Sequence, residues 1–123
     1  MKLIHTNAAP AAVGPYSQAV VSGGMVYTAG QVALDPETGV ISGSDVTAQT
    51  HQVMKNLTAV LSAAGSGLDR VVKTTCFLAD MADFGAFNAV YGEYLPNKPA
   101  RSCVAVKELP KGALCEVEVI AEA

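Results

Sequence analysis

Only two stretches of this chain carry the three- and four-residue apolar spacing of an amphipathic helix, and they stand among five short runs of strand character. The first helical stretch opens at Ser44 or Asp45, either of which can accept from the free N–H groups of a first turn. Val46, Val53, Leu57, Val60, Leu61 and Ala64 form its stripe, and Gln49, Gln52, Lys55 and Asn56 fill much of the other side. Gly65 supplies a left-handed end. The second stretch is capped by Asp80 or Asp83, shows Phe84, Phe87, Val90, Tyr91 and Tyr94 along one side, and must end before Pro96. The strand runs are 17–21, 25–29, 71–78, 102–106 and 114–120, the first two joined as a hairpin by Ser22-Gly23-Gly24. Two helices suffice to cover one face of a sheet of five or six strands, which predicts a two-layer α+β domain. No third helix is left for the other face. That face must meet solvent or another chain, and a charged fraction of 15%, well under the usual ~25%, favours the second.

Length and charge narrow the function classes. A chain of 123 residues predicts one domain spanning 1–123, because a second core would be cramped. No apolar run reaches signal-peptide or membrane-span length, so a soluble, cytoplasmic protein is expected. Cys76, Cys103 and Cys115 are odd in number and widely spaced, which fits reduced thiols better than a disulfide framework. His5 and His51 stand far apart with no ligand pattern around them, so no metal is expected. A net charge of −3 with scattered Lys and Arg argues against a nucleic-acid surface. No P-loop, G-x-G-x-x-G or G-x-S-x-G motif occurs, which removes the nucleotide and serine-hydrolase readings.

The residues able to carry chemistry lie mostly near the C-terminus. In the run 114–120, Cys115, Val117 and Val119 form an apolar side while Glu116 and Glu118 point the opposite way. The apolar side belongs under the helices, so the glutamates are expected on the uncovered face. Arg101 shares that face if Ser102, Val104 and Val106 also lie under the helices. A guanidinium at a strand mouth suits a bidentate grip on a carboxylate, and a nearby glutamate can orient or deprotonate water. A purely structural Arg–Glu pair at an oligomer contact is the competing reading. Tyr16 could offer its phenol to a ligand or be an ordinary half-buried tyrosine, and Gly30 could admit a ligand to the backbone or only end a strand. Cys103 has no histidine base near it in sequence and reads as a small apolar residue.

Several motifs in order add a resemblance. Gly14-Pro15-Tyr16-Ser17-Gln18-Ala19, Val26-Tyr27-Thr28-Ala29-Gly30-Gln31, Phe87-Asn88 with Tyr91, Pro99-Ala100-Arg101-Ser102-Cys103-Val104 and Leu109-Pro110-Lys111-Gly112-Ala113 with Glu116-Val117-Glu118 span nearly the whole chain. This set resembles the Rid family, the reactive intermediate deaminases also called YjgF, and within it the RidA-like branch. The resemblance implies a chorismate-mutase-like fold, a mixed sheet with two helices on one face, assembled as a homotrimer with ligand sites between subunits. It implies hydrolysis of 2-imino and enamino acids, such as 2-iminopropanoate and 2-iminobutanoate, to 2-keto acids and ammonia without a cofactor. By position, Arg101 would bind the substrate carboxylate and Glu116 would hold the attacking water. Tyr16, Gly30, Asn88 and the backbone at Cys103 would line the pocket. One departure is Ala29, where many members carry serine, so any hydroxyl contact from that position is absent. The alternative in a different class is a non-catalytic module that binds small carboxylates in the same inter-subunit cleft.

Overall fold

The computed structural model describes residues 1–123. Six strands form one sheet: β1 (Lys2–Ile4), β2 (Ala19–Ser22), β3 (Met25–Thr28), β4 (Val71–Leu78), β5 (Ala100–Ala105) and β6 (Cys115–Glu122). Their order is β1-β2-β3-β6-β4-β5, with β4 and β5 parallel and every other neighbouring pair antiparallel. The mixed two-layer α+β architecture expected from the sequence is therefore the one observed. Helices α1 (Val46–Ala63) and α2 (Phe84–Tyr94) make the crossovers β3-α1-β4 and β4-α2-β5. Both crossovers advance across the sheet in the same direction. Right-handed connections then force both helices onto the same face. The other face has no helix.

Local chemistry explains the elements. Gly23 and Gly24 both have positive φ, 59° and 77°, which is what a two-residue turn between right-twisted strands requires. Asp45 caps α1 by accepting from the Ala48 N–H at 2.8 Å, and Gly65 follows the helix at φ 78°. Asp80 caps a short 3-10 turn at Met81–Asp83, which runs directly into α2. The core between the layers joins Val53, Leu57 and Leu61 of α1 to Phe87 of α2, Leu78 of β4 and Val117 of β6.

Two expectations need correction. Lys2–Ile4 is a sixth, edge strand that its three residues were too few to announce. Gln49 and Asn56 do not sit on a solvated side of α1: they are only 4% and 1% exposed. Each serves a loop carbonyl or amide that would otherwise be buried without a partner. Asn56 Nδ2 donates to the carbonyls of Val32 (3.1 Å) and Leu34 (2.9 Å), and Gln49 Oε1 accepts from the Leu114 N–H at 2.9 Å. A polar residue at such a position is invisible to an apolar-stripe argument, because its burial depends on where the 30–43 loop lies. Asn56→Ala leaves the Leu34 carbonyl without a donor and the Val32 carbonyl with only the Leu34 N–H, and equilibrium urea unfolding should show a loss of roughly 1–3 kcal/mol.

Candidate active site on two faces of one sheet

The site residues anticipated from sequence fall into two clusters. The first forms where the chain leaves β3. Gln31 exchanges backbone hydrogen bonds with Val117 of β6, at 2.9 and 3.1 Å, which fastens residues 29–31 beside the start of that strand. Glu116, between the buried Cys115 and Val117, must point to the opposite face from them. Its carboxylate lies over Gly30. A Cβ on residue 30 would stand only 2.9 Å from Glu116 Cδ and closer still to Oε2, so this backbone must be glycine for the carboxylate to rest there. Gly30, Tyr16 and Glu116 line a common open groove of about 790 Å³, together with Lys111 and Glu37.

Gln18, buried at the base of the opening segment, holds the groove's near wall. Its Oε1 accepts from the Thr6 N–H at 2.7 Å, and its Nε2 donates to the Thr6 and Pro10 carbonyls at 3.0 and 2.8 Å. Its place in the Gly14–Ala19 motif was visible from sequence, but its structural task was not. Lys111 was also unanticipated as a lining residue, and its left-handed backbone (φ 56°) turns the chain at the groove rim.

The second cluster lies elsewhere. In the parallel register of β4 and β5, Arg101 is opposite Thr74 and Cys103 opposite Cys76. Thr74 and Cys76 are fully buried under the helices, so Arg101 and Cys103 are on the helix side. This overturns the expectation that Arg101 shares a face with Glu116. The physical reason is that Ser102 and Val104 do not go under the helices. On the outermost strand the apolar Val104 is turned to the bare face, 48% exposed. Alternation alone therefore gives the two sides of β5 but not their identity.

Arg101 is half-buried on its own side. Its Nη1 donates to Asn88 Oδ1 of α2 at 2.7 Å, and its Cζ stands 4.8 Å from the Tyr91 ring centroid and 5.4 Å from that of Phe84. Its hydrogen-bond partner within one chain is thus an amide and not a carboxylate. Tyr16, Gly30 and Glu116 are brought together, and so are Asn88, Arg101 and Cys103. Between them runs the sheet.

The titration of these groups follows from burial. Glu116 is pushed above the ordinary carboxylate range, first by desolvation and then by the charge of Glu118 two residues along the strand. Cys103 is raised by burial against a smaller lowering from Arg101, so it stays a thiol near neutrality. Cys76 and Cys115, deeper in the core, are pushed up to about 12 and about 11 by burial. No group of three or more His, Cys, Asp and Glu side chains is arranged to hold a metal ion. No helix is long and apolar enough to cross a membrane.

The comparisons with known proteins agree with the fold. A family model described as Endoribonuclease L-PSP matches residues 6–123. The RutC family protein slr0709 of Synechocystis is 54% identical over 124 residues, covering 98% of this chain and 95% of that protein. The crystal structure of RidA from the Antarctic bacterium Psychrobacter is 44% identical, covers 100% of both chains and superposes with a TM-score of 0.95. That of Escherichia coli TdcF with bound serine is 40% identical, covers 100% of this chain and 99% of the other, and has the same TM-score of 0.95.

The raised Glu116 carboxyl has a definite consequence for stability. For an acid whose folded pKa exceeds its unfolded one, the folded state holds the proton more tightly, so the contribution is fully present below the ordinary carboxylate range and is lost as pH rises through the raised value. Glu116→Gln should therefore melt above the parent at pH 7–8, with the gap closing on acidification, as read by thermal unfolding across pH.

Proposed function

The chain belongs to the Rid (YjgF) family, and from that premise we propose that it deaminates small 2-imino acids and their enamine tautomers to 2-keto acids. The family is known for imine deaminase activity; 2-iminopropanoate and 2-iminobutanoate are the substrates assigned here. The observation that carries the reading is the desolvated Glu116 carboxylate seated over Gly30 in an open groove.

An iminium carbon is already electrophilic, so little activation is needed. Water adds to that carbon, Glu116 takes the proton, and a tetrahedral carbinolamine forms. The protonated carboxyl then returns its proton to nitrogen. As the C–N bond breaks and ammonia leaves, the carbinolamine hydroxyl gives its proton to the Glu116 carboxylate, which yields the 2-keto acid and passes that proton on to ammonia as ammonium. A carboxylate raised above its ordinary value by desolvation is the more effective proton acceptor. Arg101 grips the substrate carboxylate through its free donors, and Tyr16, Asn88 and the backbone at Gly30 and Cys103 border the ligand.

Because Arg101 and Glu116 lie on opposite sides of one sheet, a complete site needs two copies, and we take the assembly to be a homotrimer. The uncovered face supports an assembly of this kind. Register places Leu3, Val20, Tyr27, Ile120, Phe77 and Val104 on it, with Leu3 60% and Tyr27 43% exposed. An apolar surface of that extent is costly to leave in water.

RNA cleavage, which the matching family description brings to mind, fits the groove poorly. Two glutamates, Glu37 and Glu116, face one lysine there, which repels a phosphate chain. Substrate is best generated in place by a threonine dehydratase and its loss followed by trapping the imine. The parent should accelerate loss over buffer, and Arg101→Ala should lower kcat/KM by about a hundredfold or more, as expected when a charge-assisted carboxylate grip is removed. Gly30→Ala should lower kcat with keto-acid binding retained, because it displaces the base and leaves the guanidinium in place. Saturable keto-acid binding with no turnover by the parent would instead make this a carboxylate-binding module.

A further inference from the structure

Helix α2 presents three side chains to Arg101, and they do different work. The Tyr91 ring lies under the guanidinium, its centroid 4.8 Å from Cζ, with Phe84 at 5.4 Å beside it. Asn88 Oδ1 takes one N–H from Nη1 at 2.7 Å. Tyr91 is itself buried, and its hydroxyl is tied to Thr74 Oγ1 on β4 at 2.7 Å. Thr74 is also the residue directly opposite Arg101 in the strand register. The ring is thus anchored to the same rung of the sheet from which the arginine departs.

We infer that Tyr91 is a positioning residue: its ring holds the Arg101 guanidinium flat while Asn88 sets its rotation in that plane. The inference rests on the carboxylate-binding role proposed for Arg101. Guanidinium has two edges that can hold a carboxylate through two parallel N–H bonds. With Nη1 engaged by Asn88, the Nε–Nη2 edge keeps its donors free and coplanar. A flexible arginine would have to lose its side-chain freedom on binding; a stacked one has already lost it. The arrangement also separates arginine from lysine, since an ammonium has no plane to stack and no second edge to present.

Neither the helical stripe nor the strand pattern exposes this device. In the stripe Tyr91 is simply another apolar position. Only the meeting of α2 with the β4–β5 edge makes it the floor beneath a cation.

The test compares Tyr91→Phe with Tyr91→Leu, reading KM and kcat separately on the dehydratase-generated imine and the order of the Arg101 Nε–H by nitrogen relaxation. Tyr91→Phe keeps the ring and should stay near the parent in KM. Tyr91→Leu should raise KM by roughly three- to thirtyfold, the range of a partly desolvated cation–π contact, with kcat little changed. The Nε–H should loosen in the leucine variant and not in the phenylalanine variant. The unsubstituted protein supplies a further check needing no variant: without ligand, its Arg101 δ-protons should be shifted upfield by the ring beneath them and its Nε–H should be ordered. A mobile Nε–H with no upfield shift in the parent, or parental KM and order in a folded Tyr91→Leu protein, overturns the inference. If Arg101→Ala abolishes turnover while Tyr91→Leu changes nothing, the clamp falls and the deaminase reading stands. If Arg101→Ala is itself silent, the functional reading falls, and the relaxation and ring-current measurements still decide the clamp.

Discussion

The handedness of two crossovers governs this molecule. Because β3-α1-β4 and β4-α2-β5 advance the same way across the sheet, the right-handed rule puts both helices on one side. Two consequences follow from that one constraint. A single apolar core forms between the layers, with Leu57, Leu61, Phe87 and Val117 within it. The opposite face remains uncovered, with Leu3, Tyr27 and Val104 exposed on it beside the glutamates of β6. Independently of that handedness, the strand pleat commits adjacent side chains to opposite faces, and with the register of β5 this separates its arginine from the glutamate of β6.

That separation is the functional logic of the fold under the proposed reaction. Water activation and substrate anchoring are different tasks with different environments. Glu116 needs partial desolvation to become a useful base, and it has this over a glycine backbone near the start of β6. Arg101 needs a rigid support and a free edge, and it has these against α2. Each subunit presents both halves, the carboxylate on one face of the sheet and on the other a guanidinium with its Nε–Nη2 edge free. Association through the bare face would then complete the site and bury the exposed apolar residues together, so that catalysis and assembly share a cause.

Much of this was legible in the residues. The two helices, the glycine hairpin and the five longer strands follow from apolar spacing and turn chemistry, and β4 matches its expected limits, Val71 to Leu78. Glu116 was correctly turned away from the core because β6 alternates cleanly between apolar and acidic side chains. The strand β5 has no such alternation. Its Arg-Ser-Cys-Val-Ala run is mixed on both sides, so its facing depends on its register with β4 and on how little α2 covers an edge strand. The burial of Gln49 and Asn56 escaped for a related reason: their partners are loop carbonyls and amides far away in sequence.

The amino-acid order by itself determined the element types, the layer count and the presence of an uncovered sheet face, because these depend on local spacing and on how much surface two helices can hide. It also determined the cast of polar residues available for chemistry, through motifs that survive without any knowledge of their placement. Only the tertiary structure decided which of them meet: Glu116 with Gly30, Arg101 with Tyr91 and Asn88, and neither group with the other. Those meetings are set by strand register and helix docking, which are properties of pairs of distant segments that no single segment encodes.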